Sequence, residues 1–221
     1  ELRDTFLIHE LERYLLTRIS ILNEKLKELV SKHDYHAIYT ALLNFCTLEL
    51  SAFYFDIRKD SLYCDDIKSI KRRSTSTCLH IIFEFLTKWL SPIVSFTCEE
   101  AWKSRSYSNE ESILLQNVKD DEFTYKDISL EKVFEELKRV RKSVTSALEL
   151  KRNEKLIGSS LQAKVILFLS KDTQKIIADL DLAEMCIVSN VETHDISNRS
   201  KESISIEDEE IYVDIKLADG K

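Results

Sequence analysis

Apolar residues recur along the first two-thirds of this chain at intervals of three, four and seven. This is the spacing that lines one face of an α-helix. Leu7, Leu11, Leu15, Leu22, Leu26 and Leu29 predict a long helix over residues 4–30, with Lys and Glu on its other face. Tyr35, Ile38, Leu42, Phe45, Glu49 and Phe53 predict a second over 34–55. Residues 56–71 are polar and short-patterned and read as a connection with a turn or short helix. Leu79, Phe83, Leu86 and Leu90 mark a helix over 72–90, ended by Pro92, which removes a donor and restricts its predecessor. Thr97-Cys-Glu-Glu100 has the form of a capping box and predicts the start of a short helix carrying Trp102. Residues 104–127 read as an irregular polar excursion. Val133, Leu137, Val140, Val144 and Leu148 define a last long helix over 129–154.

The period changes near Gly158. Residues 162–169 read as a strand and 172–181 as a small helix. Residues 184–190, 203–207 and 211–217 read as strands, the last with a period of two. The fold class is therefore mainly α: a helical bundle over residues 1–157, then a small α+β module over 158–221.

Composition agrees. Average usage would give a chain of 221 residues roughly 15 Gly and 11 Pro; this one has 2 and 1. So few turn-formers argue against a glycine-rich nucleotide fold, a turn-rich sandwich or a disordered tract. Five cysteines, none in a Cys-x-x-Cys pair, argue against disulfide stapling and a Cys-rich zinc site and fit a reducing, cytoplasmic setting. Residues 1–25 do not read as a signal peptide, and no uncharged apolar run approaches a membrane span. The chain starts without Met and ends on Ala218-Asp-Gly-Lys221, so both ends read as cuts from something longer. The net charge of −7 is uneven: residues 172–221 carry −8, which leaves the helical part near +1. Phosphates respond to such local patches as well as to the total.

No catalytic constellation emerges. The five histidines are scattered; His33 and His36 are close, but no third ligand completes a metal motif. No Gly-rich phosphate loop or nucleophile elbow is present. Two basic clusters stand out. One holds Arg58, Lys59, Lys68, Lys71, Arg72 and Arg73, interleaved with Tyr54, Phe55 and Tyr63. The other holds Lys138, Arg139, Arg141, Lys142, Lys151, Arg152 and Lys155. Such stripes grip phosphates while aromatics stack unpaired bases; the alternative is a solvated helix face with Glu partners, such as Glu135 to Arg139. The other aromatic side chains in apolar runs read as core.

The run Leu50–Asp65 (LSAFYFDIRKDSLYCD) closely resembles a signature of the anticodon-binding helical domain of bacterial isoleucyl-tRNA synthetases. The resemblance continues through Arg72-Arg73, Trp89–Ile93, Phe96–Trp102, Val140–Glu149 and Lys155–Leu161, in family order over most of residues 1–165. It is most marked with the alphaproteobacterial versions. A valyl relative, or a helical scaffold without RNA, is the alternative.

The resemblance implies a class I synthetase bundle that holds the anticodon stem-loop of tRNA(Ile) and presents the acceptor end to a catalytic domain in the same polypeptide. It implies a monomeric, cytoplasmic, non-membrane parent that uses ATP and Mg, with catalytic and editing domains outside this chain. It also implies a Cys-x-x-Cys-Trp zinc module that would start just beyond Lys221. No cofactor, metal or catalytic residue is expected here. The expected tRNA-binding residues are Arg58, Lys59, Arg72, Arg73, Arg141, Lys151, Arg152 and Lys155, with Trp102 as a stacking or pocket-shaping group. Asp56 and Asp60 are expected to orient Arg58 and Lys59, Tyr54 and Phe55 to pack, and Lys25 and Lys27 to matter little.

Overall fold

The computed structural model describes residues 9–105, 112–116, 125–199, 203–205 and 210–218. Packing divides the chain into two compact units, residues 1–127 and 128–221. By packing, the division falls ahead of the 157/158 boundary expected above, and Gly158 lies inside the second unit.

The first unit is a helical bundle. Helix α1 (Glu10–Ser31) packs against α2 (Tyr35–Asn44) and α4 (Ile70–Leu90). Asp34 starts α2 by accepting from the Ala37 N–H at 3.0 Å. The helix does not stop near residue 55. It continues as an i→i+5 stretch, Phe45–Phe55, and then as α3 (Asp56–Cys64), a 30-residue run in all. The segment expected to be a connection is helical to Cys64 because Ile57, Arg58 and Ser61 are buried there; only residues 65–69 turn. The wide turns show in the buried positions, which step from Phe45 to Leu50 rather than to Glu49. By length and composition the run Tyr35–Cys64 is the one described helix apolar enough to cross a membrane, although Glu49 interrupts its apolar sequence. Here it is a core helix of the bundle, with Leu42, Phe45, Phe53 and Tyr54 buried.

At the centre lies a carboxylate. Glu12 of α1 is fully buried. Arg58 of α3 grips it from both sides, Nε to Oε1 at 2.6 Å and Nη2 to Oε2 at 2.8 Å. Tyr54 Oη donates to the same carboxylate at 3.3 Å, and Thr75 of α4 shares its one hydroxyl proton between that carboxylate at 3.2 Å and the Lys71 carbonyl at 2.9 Å. Cys78 lies beside them, and burial pushes its thiol up to about 12. Burial likewise holds the Tyr54 hydroxyl well above its ordinary value.

Helix α4 is capped by Ser69 and ends at Leu90, as the following proline requires. Helix α5 (Ser95–Lys103) has its N-cap at Val94, three residues ahead of Thr97, the expected cap. Thr97 therefore lies inside the helix and caps nothing, while Ser95 Oγ donates back to the Ser91 carbonyl. Trp102 joins Cys98 and Ile113 in a buried cluster with Phe83 and Leu90 packed against it. Residues 125–127 bind α1: Lys126 pairs with Glu24 at 2.5 Å, the Asp127 N–H donates to Thr17, and Asp127 pairs with Arg13.

The second unit opens with α6 (Ser129–Asn153), which buries Leu130, Phe134, Leu137, Val140, Val144, Ala147 and Leu148 along one face. It packs on a three-stranded sheet and on the short helices α7 (Lys171–Ile176) and α8 (Leu182–Cys186). The sheet order is β2-β1-β3, with β1 (Ala163–Leu169), β2 (Asn190–Asp195) and β3 (Tyr212–Leu217). Strand β1 pairs parallel with β2 (Val165 opposite Val191) and antiparallel with β3 (Val165 opposite Ile215). From Val165 to Leu169 it is buried on both faces, which is why that run is continuously apolar. Residues 184–190 are not the strand expected. Asp181 caps α8, the chain turns at Ile187, and the strand begins at Asn190. Of the expected strand 203–207, Ile204 makes a single bridge to Val213, and residues 206–207 lie outside the described residues.

Three helices end without glycine. After α1, α6 and α8 the chain enters the left-handed region at His33, Lys155 and Ile187, with φ of 56°, 58° and 56°. Each stop carries paired closing bonds, as in Asp34 N–H to Leu29 O and His33 N–H to Val30 O.

Three outcomes follow for stability. Arg58→Ala strands a buried carboxylate and should cost about 3–5 kcal/mol, read as the urea midpoint; Arg58→Met combined with Glu12→Leu should recover much of that loss. His33→Gly should gain about 0.5–1 kcal/mol, because glycine adopts the left-handed conformation without the Cβ penalty. The Cys78 and Cys186 thiols, both raised by burial from 9.0 to about 12, keep in the native state a proton that the unfolded chain sheds. Their stabilisation is complete below pH 9 and falls as the pH rises toward 12, by about 1.4 kcal/mol per pH unit and thiol. Urea midpoints measured between pH 8 and 11 should decline, and the double variant Cys78→Ala, Cys186→Ala should flatten that decline.

Candidate nucleic-acid interface

The two basic clusters lie in different units. In the first unit the cations gather where α3 turns into α4. Lys59 is half exposed and pairs with Asp56 at 2.9 Å. Four residues on, and so on the same helical face, Tyr63 is 84% exposed. Ile67 and Lys68 project from the turn, and Arg73 is exposed in the first helical turn of α4. Arg72 is half-buried: its Nη1 donates to the Asp65 carbonyl at 2.6 Å and braces the turn. Asp56, Asp60, Asp65 and Asp66 stand in the same segment and dilute its positive charge.

Two expected contacts are corrected. Arg58 is 1% exposed and spends its guanidinium on Glu12, so it reaches no phosphate. The partner that holds it in the interior is Glu12 of α1. Trp102 is 4% exposed and belongs to the core; Arg105 lies over its ring with Cζ 3.2 Å from the centroid. Nothing is left for an RNA base to stack on. Tyr54 packs as expected, fully buried, whereas Phe55 is 38% exposed. Tyr63 is the residue that the pattern underweighted. Its signal was its place four residues after Lys59, outside the apolar period.

In the second unit the cations follow α6. Arg139 pairs with Glu136 at 2.9 Å and with Glu210 at 3.5 Å, not with Glu135. Arg141 is half-buried and close enough to Cys186 for its charge to oppose the rise of that thiol. Lys151, Arg152 and Lys155 gather at the helix C-terminus, where the backbone dipole favours cations. Lys151 pairs with Glu154 at 2.7 Å and Arg152 with Glu149; Lys155 is exposed at the left-handed stop. In each cluster, then, some cations lean on a neighbouring carboxylate, and exposed pairs of this kind contribute about 0.2–1 kcal/mol.

Among the described residues no group of three His, Cys, Asp or Glu side chains is placed to hold a metal ion.

Comparison with known proteins fits this arrangement. Residues 12–167 match the family described as the anticodon-binding domain of tRNA ligase. The isoleucine–tRNA ligase of Pelagibacter ubique is 44% identical over 185 residues, which cover 84% of this chain and 20% of that protein. The isoleucine–tRNA ligase of Agrobacterium fabrum is 42% identical over 82% of this chain and 19% of its own length. That of Gluconobacter oxydans is 40% identical over 83% and 19%. The chain spans about a fifth of the length of these relatives.

Proposed function

The chain belongs to the anticodon-binding domains of tRNA ligases, and from that premise we propose that it holds the anticodon stem-loop of tRNA(Ile) within a longer isoleucine–tRNA ligase. The observation that carries this reading is the α3–α4 corner, where exposed Tyr63 follows Lys59 by one helical turn and the exposed Lys68 and Arg73 follow in the turn and at the start of α4, inside the matched region. Cations along the corner and at the end of α6 contact phosphates and set the register of the RNA. Tyr63 offers a face to an unpaired base, and stacking of this kind tolerates any sequence. Discrimination among anticodons then comes from base edges. Activation of isoleucine with ATP and Mg, transfer to tRNA and editing belong to the remainder of the polypeptide. No chemical step is assigned to the residues described here. The parent works as a cytoplasmic monomer on this reading.

The test is binding of the 221-residue chain to tRNA(Ile), to the same tRNA with a swapped anticodon and to tRNA(Val), across a salt series. Affinity should fall with salt at a log–log slope of about −0.7 to −0.9 per phosphate contacted. Lys59→Ala with Arg73→Ala should make that slope shallower by about one to two contacts. Tyr63→Ala should weaken binding by about 1–3 kcal/mol while Tyr63→Phe retains it. Absence of binding at low salt, or salt-independent binding, overturns the phosphate contacts. Equal binding to all three RNAs removes anticodon discrimination.

A further inference from the structure

The run from Tyr35 to Cys64 is apolar on more sides than the bundle uses; only a third of its most apolar window is buried. From Tyr35, steps of four reach Tyr39 and Leu43, all exposed. The next step of four would reach Thr47. The i→i+5 stretch begins at Phe45, however, and its wider turn brings Leu48, five on, into line instead. Tyr39 is 55% and Leu48 64% exposed, so a stripe of large apolar side chains runs along the outer face of the helix.

Beside this stripe lies a cavity of about 270 Å³ between α1 and the facing helix. Ile21 and Leu22 on one side and Ala41, Phe45 and Leu48 on the other make its apolar bed. The small Ala41 leaves room where a larger residue would close the gap. Arg18 and Glu49, 3.8 Å apart, stand at one end, and Lys25 stands seven residues further along α1. Lys25 makes no ion pair among the described residues. The volume falls just short of the roughly 300–1,000 Å³ of pockets for drug-sized ligands and suits one or two side chains. An apolar stripe that flanks a groove with a free cation at its rim is the arrangement that receives an amphipathic segment.

We propose that this groove and the outer stripe of α2 seat another segment of the same polypeptide, one that presents apolar side chains and a carboxylate opposite Lys25. The inference rests on the reading of this chain as one domain of a longer tRNA ligase. Its relatives are about five times longer than the region they share with it, so most of such a polypeptide remains to cover exposed surface.

The experiment compares maleimide labelling of Leu48→Cys, and separately of Tyr39→Cys, in the 221-residue chain and in the full-length ligase. Peptide mass mapping separates these sites from the native cysteines. Both positions are exposed, so neither substitution threatens the fold. Labelling should be at least ten-fold slower in the full-length protein and return to the rate of the short chain on denaturation. Equal rates in the two proteins overturn the proposal. So does protection of the short chain by added tRNA, by raised protein concentration or by lipid vesicles, which would assign the surface to RNA, to a second copy or to a membrane. As a second arm, Lys25→Glu should restore labelling in the full-length protein and leave the short chain unchanged; unchanged protection there removes the carboxylate from the proposal. None of these readouts depends on whether the short chain binds tRNA, so failure here and failure of the functional reading remain distinguishable.

Discussion

A single buried ion pair holds the bundle's geometry. Removing a carboxylate and a guanidinium from water costs several kcal/mol per ion, and their attraction offsets this only when the contacts are complete. They are complete here: Glu12 receives both arms of Arg58, the hydroxyl of Tyr54 and a share of the Thr75 hydroxyl. Three helices must therefore arrive at one point in the right rotation: α1 with the acid, α3 with the base and α4 with the threonine. A sheet of leucines would tolerate sliding by a turn. This charge pair does not, because any displacement leaves a bare ion in the interior.

That constraint explains why Arg58 is so easily misread. On paper it sits among lysines and aspartates, in a segment too polar to look like core. The period of the apolar residues was sufficient for α1, α4, α6, β1 and β3, because each buries one face or strand against a partner. It was insufficient wherever burial was polar. Ile57, Arg58 and Ser61 extend a helix that hydropathy alone would end, and a buried arginine is visible only through its partner 46 positions away. Trp102, a candidate for stacking or pocket-shaping only through the family resemblance, is core, with Arg105 lying over its ring. The Thr97 box failed because an adequate local motif was superseded by an earlier start at Ser95. The strand placed at 184–190 failed because its β-branched residues fall at a helix stop.

What survives of the expected interface is surface, and its cations are already engaged. Lys59, Lys151 and Arg152 each lean on an acid three residues away on the same helix. Such pairs restrain long side chains without committing them. On the proposed reading an approaching phosphate would displace a carboxylate that stays tethered nearby, and so would compete with a fixed internal rival. This accommodates an acidic chain overall: the net charge of −7 suppresses indiscriminate attraction to nucleic acid, and only a backbone that can meet several cations together overcomes the local acids.

The i→i+5 stretch has a consequence for how this sequence can change. Each residue between Phe45 and Phe55 turns the helix by less than an α-helical residue does, so the stretch works as a phase shifter. It lines up Leu48 with the outer stripe upstream and brings Arg58 round to Glu12 downstream. A wide turn holds more residues than an α-turn over the same rotation, so the loss of one residue there is taken up by tighter winding and Arg58 still meets Glu12. The same deletion between the wide turns and Arg58 finds no such reserve and carries the guanidinium about 100° round the helix from its partner.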